Sequence, residues 1–163
     1  SGEMQVVWTI GPERTWEGRP VVPHISPQAG TSLYDAATRA YVAQLNPAGQ
    51  PVLSFEPPIG LPSPLVVGSA WSSKHTLTNH VRQTKMTYEV AFKVEALEDV
   101  SVPAGRFQAF RVVATDIFGE IDTRWWVPAQ GGMLVKRTVD RPASHPQGAG
   151  HLDGELLSRA TPN

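Results

Sequence analysis

Two stretches decide the fold class: Val102-Pro-Ala-Gly-Arg-Phe-Gln-Ala-Phe-Arg-Val112 and Thr123-Arg-Trp-Trp-Val-Pro-Ala-Gln-Gly-Gly-Met-Leu-Val-Lys-Arg137. Each sets a Pro/Gly turn before or within a run of aromatic and β-branched residues, and the runs are close enough in sequence to pair as antiparallel neighbours. An all-β domain is therefore predicted. Upstream, Met86, Tyr88, Val90, Phe92, Val94 and Ala96 alternate with Thr87, Glu89, Ala91, Lys93 and Glu95, the mark of a half-buried strand. A partner strand is expected over 72–81, joined to it through Arg82-Gln-Thr84. After the Val102–Gly105 turn, strands are expected near 106–117 and 121–128, linked by Phe118-Gly-Glu120. Met133–Val139 follows Gly131-Gly132, and Gly154–Ala160 reads as the last strand. The C-terminal half is thus a predicted meander of about six antiparallel strands.

The N-terminal half is less regular, because Pro12, Pro20, Pro23, Pro27, Pro47 and Pro51 interrupt it and proline in a sheet is confined to edges and bulges. Short strands are expected at Glu3–Ile10, Arg19–Ile25, Thr31–Asp35, Arg39–Leu45 and Pro51–Glu56. Asn46-Pro-Ala-Gly49 is a turn signature, and Trp16-Glu-Gly-Arg19 reads as a β-turn with Gly18 at positive φ. Phe55-Glu-Pro-Pro-Ile-Gly-Leu-Pro-Ser-Pro-Leu65 reads as an extended, hydrogen-bond-poor connector crossing the body of the protein. Helix-tolerant composition occurs only over 32–43. The segment 141–153, rich in Pro, Gly, Ser and His, reads as a mobile hairpin loop. The expected architecture is one domain over 1–163, a strongly curved antiparallel sheet of about ten or eleven short strands forming a half-open or open β-barrel.

A chain of 163 residues is long enough to bury about 70% of its unfolded surface, so a core needs neither metal nor disulfide. Fourteen basic and fifteen acidic residues leave a net charge of -1, and the longest basic run is Lys136-Arg137, which argues against nucleic acid as a partner. The absence of cysteine removes disulfides, thiol catalysis and thiolate metal sites together. No run approaches the ~18 apolar residues of a membrane helix, and no signal-peptide pattern opens the chain. Ser1-Gly2 reads as a tag-cleavage scar, which allows a natural leader to have been removed.

Four segments together carry a family likeness. Phe55-Glu-Pro-Pro58 with its Pro-rich linker, Gly68-Ser-Ala-Trp71, the Val102–Gly105 turn running into Phe107-Gln-Ala-Phe-Arg-Val112, and Trp125-Trp-Val-Pro128 with Gly132-Met-Leu-Val-Lys-Arg137 resemble bacterial envelope proteins. These are functionally unassigned proteins labelled domain-of-unknown-function or TapB-like. The resemblance covers roughly residues 50 to 140. It implies a periplasmic or cell-envelope protein, exported and often lipid-anchored, with an open barrel shaped like the carriers that ferry lipoproteins and other lipids. It implies no catalytic residue. Membrane association is then expected only if a lipid anchor precedes residue 1.

No constellation has the spacing of a known reaction. His75 and His80, five apart, should face opposite ways on a strand and read as surface residues with no shared metal site. A composite of His24, His145 and His151 with Asp153 needs the fold to converge them. Gly68-Ser-Ala-Trp71 lacks the second glycine of a nucleophile elbow. Glu95, Glu98 and Asp99, or Asp116, Glu120 and Asp122, offer paired carboxylates but lie at strand ends, where acids cap turns. No catalytic residue, metal site or cofactor is assigned.

The aromatic set is the stronger lead, because Trp125 and Trp126 must point to opposite faces of one strand. If the sheet curls, one face becomes a concave apolar cavity, for which Trp71, Phe92, Phe110, Val112 and Trp126 are the candidate ligand-binding residues. Lys136, Arg137, Arg106, Arg111 and Arg124 could gather on one face to meet an anionic head group, although a solvated face is the commoner use of such residues. The function expected is a non-enzymatic envelope binding or carrier module for an apolar ligand, lipid or partner peptide. The alternatives are an assembly protein pairing through a free sheet edge and a hydrolase with a converged His/carboxylate site.

Overall fold

The computed structural model describes residues 3–61, 64–128 and 132–159. These residues form twelve strands: β1 (Glu3–Ile10), β2 (Arg14–Trp16), β3 (Arg19–Ser26), β4 (Gly30–Asp35), β5 (Tyr41–Leu45), β6 (Pro51–Ile59), β7 (Ala70–Asn79), β8 (Thr84–Val102), β9 (Gly105–Asp116), β10 (Ile121–Val127), β11 (Met133–Arg141) and β12 (Gly150–Arg159). No described residue is helical, including those of the helix-tolerant segment. Ser1, Gly2, Pro62, Ser63, Gly131 and Ala160, which figured in the sequence reading, lie outside the described residues.

From β3 to β12 the strands follow one another as an antiparallel meander. β1 then pairs in parallel with β12 along its whole length and antiparallel with β3 through Thr9↔Ile25 and Ile10↔His24. These contacts close eleven strands into a barrel and correct the half-open expectation. β2 is an extra strand on the remaining edge of β3, pairing Arg14↔Val21 to Trp16↔Arg19 where only a turn was expected. Closure leaves little free edge: the three-residue β2 and the projecting part of the β8–β9 hairpin.

Period-two alternation supplies the inside and outside of this wall. On β8, Val90, Phe92 and Val94 are buried while Ala91, Lys93 and Glu95 are exposed. On β7, exposed Ser72, Lys74 and Thr76 back onto buried His75 and Leu77. The outer face of these strands is thus polar, the reverse of the apolar band that faces lipid in a membrane-spanning barrel. A bulge between Val94 and Ala96 shifts the register between β8 and β9, and beyond it the two strands continue as a two-stranded arm. The tip of that arm docks on β12, where Ala104 N donates to Leu156 O at 3.1 Å. Val100, Val102 and Phe107 join the main core there, with Trp8 and Leu156. In a meander alternate turns share an end, so this arm covers the end opposite the β7–β8, β9–β10 and β11–β12 turns.

Two connector expectations are revised. The Pro-rich segment begins as strand: Leu53 to Glu56 pair with β7, and Ile59 pairs with Tyr41. Only then does it leave the sheet, with Leu61 and Leu65 packed on the main core. The last strand starts at Gly150, so the predicted loop shrinks to 142–149, which is tied by His145 N to Pro142 O, Gly148 N to His145 O and Arg141 Nη1 to Gln147 Oε1.

Gly30 opens β4 with φ of +89°, and a Cβ there would sit 2.1 Å from Leu45 O. That backbone oxygen belongs to the paired β5 and has no free direction of retreat. Gly30→Ala is expected to lower the unfolding free energy by about 2 kcal/mol or more, read as a lower urea midpoint at unchanged slope.

Candidate functional site

An eleven-stranded barrel is wider than its own inward side chains can fill, and cans of this width elsewhere enclose a helix or a ligand. Here the lumen keeps a cavity of about 730 Å³, within the ~300–1,000 Å³ range of small-molecule sites. Its walls are of two kinds. On β6 to β9, Phe55, Leu77, Met86, Val90, Phe92 and Val112 present apolar groups. On β10 and β11, Asp122, Arg124, Trp126 and Arg137 line it, joined by Tyr34, Tyr41 and Gln44 of β4 and β5.

The polar wall follows from strand register. Asp122, Arg124 and Trp126 alternate on β10 and share its inner face, and Arg124 lies directly across from Arg137. Two like charges opposite one another on paired strands repel; Asp122 resolves the conflict. Arg124 donates Nε and Nη2 to the Asp122 oxygens at 3.2 and 3.3 Å, and Arg137 donates Nη2 to Oδ2 at 2.8 Å with Nε shared between both oxygens. Arg124 also reaches across the lumen: its Nη1 donates to the Tyr34 hydroxyl at 2.8 Å, and its guanidinium lies 5.2 Å from the Tyr41 ring centroid. β4 and β10 stand on opposite sides of the ring of strands, so this arm crosses the barrel.

An arc of aromatic rings continues from that crossing. Tyr34 meets Tyr41 at 5.4 Å, Tyr41 meets Phe55 at 5.2 Å, and Phe55 meets Tyr88 at 5.5 Å. Gln44 Oε1 accepts from Tyr41 Oη at 2.9 Å and from Ser32 Oγ at 2.6 Å, fixing the tyrosine end. At the mouth, Phe118 and Glu120 of the β9–β10 turn face His145 of the 142–149 loop, with ring centroids 5.6 Å apart and His145 Nε2 3.9 Å from Glu120. Asp116 anchors this turn, accepting from Phe118 N, Glu120 N and the Tyr88 hydroxyl.

Burial sets the protonation of the lumen. Desolvation alone would raise the Asp122 carboxyl, but Arg124 and Arg137 outweigh it and hold Asp122 far below the usual carboxylate range. Burial opposes the charge on both arginines, and Asp122 reverses that, raising each above its ordinary value. Glu120 is raised by burial and by Asp122 and Asp116 beside it, only partly offset by Arg137 and Arg141. Tyr88 is raised by burial and by its hydrogen bond to Asp116. Just behind the wall, His24 is buried and pulled down to about 3 by desolvation, then by Arg124 and Arg39. Its ring is neutral at ordinary pH.

Of the candidate ligand residues, Phe92, Val112 and Trp126 line the cavity, whereas Trp71 and Phe110 do not. Trp71 is half-buried and stacks on Phe92 at 5.0 Å, supporting the wall rather than forming it. Phe110, opposite Trp126 in register, packs half-buried on the main core. Trp125 takes the outer face as expected, covered by Lys136 at 5.0 Å and donating to Glu98. The five basic residues do not share a face: Arg124 and Arg137 turn inward, while Arg111 pairs outside with Glu95 and Glu98, Lys136 covers Trp125, and Arg106 is exposed.

The other expectations resolve one by one. His75 is buried rather than a surface residue, bonded to Ser73 Oγ and Pro57 O, and His80 bonds Ser54. His151 does meet Asp153, at 3.0 Å, and also Asp140, but without His24 or His145. Among the described residues no group of three or more His, Asp or Glu is placed to hold a metal ion. Tyr34, Tyr41 and Asp122 went unassigned as ligand groups in the sequence. One signal could have found Asp122: Asp122-x-Arg124-x-Trp126 puts charge and a large ring on one strand face, a pattern of neither solvent nor dry core. No protein-family model, curated protein or solved structure matches this chain, so no family assignment follows from comparison.

Proposed function

We propose that the protein is a non-enzymatic binding or carrier module that encloses a small amphipathic ligand in the barrel lumen. The observation that carries this reading is the two-sided cavity: an apolar wall on β6 to β9 faces a hydrogen-bonded cationic wall on β10 and β11. A ligand with an extended apolar body lies against the first and sets its polar end on the second. The resemblance of residues 50 to 140 to envelope proteins would put this role in the bacterial periplasm or cell envelope. Barrel closure works against the alternative of an edge-pairing assembly protein, since it leaves few unpaired strand edges. The hydrolase alternative has less to draw on: His75 and His80 bond hydroxyl and carbonyl oxygens, and the His/carboxylate pairs that do form, His145 with Glu120 at the mouth and His151 with Asp140 and Asp153, have no nucleophilic hydroxyl bonded to them among the described residues.

Native mass spectrometry with solvent extraction, on protein purified without detergent, tests the reading. Wild type is expected to carry or take up one lipid or fatty acid per chain. Leu77→Trp, which pushes an indole into the cavity from its apolar wall, is expected to bind at least about tenfold more weakly while remaining folded, the effect of losing a well-filled apolar pocket. An apo mass in wild type that persists after added lipid would sink the proposal.

A further inference from the structure

The geometry points to the Arg124–Asp122–Arg137 wall as the receptor for a monoanionic head group, a carboxylate, with Arg137 making the contact. This inference rests on the lumen being a ligand site and specifies what the site takes. Two guanidiniums share one carboxylate in the lumen, at 3.2 Å and 2.8 Å, which leaves this trio one positive charge in excess. More widely, the cavity lining carries five arginines against three carboxylates. An uncompensated charge removed from bulk water is costly, and an incoming anion relieves it.

Every nitrogen of Arg124 already has a partner: Nε and Nη2 serve Asp122 and Nη1 serves the Tyr34 hydroxyl. Arg137 differs. It meets Asp122 through Nε and Nη2, and its Nη1 donates to no described residue although the side chain lines the cavity. A guanidinium edge of this kind suits a planar carboxylate through short charge-assisted hydrogen bonds. Counted at the trio itself, one carboxylate neutralises it and a dianionic phosphate would overshoot; the other arginines of the lining stand apart from the trio, Arg39 bonding the Ala36 and Gly132 carbonyls and Arg141 the Gln147 side chain. The apolar wall across the lumen from Arg137 then holds the hydrocarbon body, so the ligand class is an apolar carboxylic acid.

Isothermal titration of decanoate, methyl decanoate and decyl phosphate at neutral pH separates the possibilities. Wild type is expected to bind decanoate at least about tenfold more tightly than the methyl ester, the effect of one charge-assisted hydrogen bond. In Arg137→Met, which leaves Asp122 and Arg124 as a neutral pair, that preference is expected to fall to near unity. Should this variant not fold, Asp122→Leu with Arg124→Met and Arg137→Met removes the trio together and is expected to bind both ligands alike. Equal binding of acid and ester by wild type overturns the anion receptor while leaving the lumen site standing. Binding of neither ligand overturns both. A preference that survives in Arg137→Met overturns the role of Arg137, and tighter binding of decyl phosphate than of decanoate overturns the monoanion.

Discussion

Asp122→Asn is expected to lower the unfolding free energy by about 3 kcal/mol, because removing one partner of a buried ion group strands the others. Asp122 is the sole carboxylate bonded to Arg124 and Arg137 among the described residues, and those guanidiniums face each other directly across the β10–β11 ladder. The asparagine keeps the shape but loses the charge that lets them coexist. Replacing the whole trio by Leu and Met is expected to cost far less, since apolar substitution of a buried ionic group is often neutral or stabilising. Urea unfolding of both variants decides the point. Equal midpoints for wild type and Asp122→Asn would mean that the arginines are solvated through the lumen, not held by Asp122.

The second large effect is a pH dependence seated at His24. Its ring is boxed between Trp8 at 6.3 Å and Tyr34 at 4.4 Å, with Arg124 and Arg39 near enough to oppose a second proton. The ordinary value is 6.5 and the folded value about 3, so between them the unfolded chain holds a proton that the folded chain refuses. Stability from this group is fully present above pH 6.5 and is lost as pH falls toward 3, at about 1.4 kcal/mol per pH unit once the unfolded ring is protonated. Glu120 and His151 are shifted upward and give slopes of the opposite sign. The comparison that isolates His24 is therefore wild type against His24→Phe, which keeps an aromatic ring in the same box. Urea midpoints from pH 4.5 to 7 are expected to fall more steeply with acid in wild type. Parallel curves would show that His24 takes up its proton without unfolding.

Much of the strand pattern was legible because its cause is local. Thr84–Val102 announces itself through Met86, Tyr88, Val90, Phe92 and Val94, whose alternation with polar neighbours is a property of a dozen consecutive residues. The turns at Asn46–Gly49 and Phe118–Glu120 were legible for the same reason, and Gly49 and Gly119 adopt the positive φ such turns use. Beyond such local cues the sequence carries less. Pro57 and Pro58 argued for a connector, yet β6 accommodates them because β7 pairs only with residues before them. β2 is three residues long and held by one neighbour, too short for any periodicity to show.

The site divides along the same line. Phe92, Val112 and Trp126 were reachable as inward residues of recognisable strands, and the opposite facing of Trp125 and Trp126 was a direct consequence of the pleat. Trp71 and Phe110 do not line the cavity although each pairs directly with a residue that does, Phe92 and Trp126, because side-chain packing as well as face decides what borders it. The basic residues were separable only through register. Bulges between Trp125 and Trp126 and between Val94 and Ala96 each shift one strand by a residue, and a one-residue shift exchanges inside for outside.

What the chain determined by itself is most of the strands, the meander of the C-terminal half and the two faces of Met86–Ala96, because backbone alternation and turn chemistry act over two to ten residues. The tertiary structure alone decided that β1 returns in parallel to β12 and closes the barrel, and that Arg124 reaches Tyr34 ninety positions away. Closure converts one sheet face into an enclosed volume. Only there does an Arg, Asp, Arg group lose its water and become a binding wall, since the cost of burying charge depends on what surrounds it and not on which residues adjoin it in sequence.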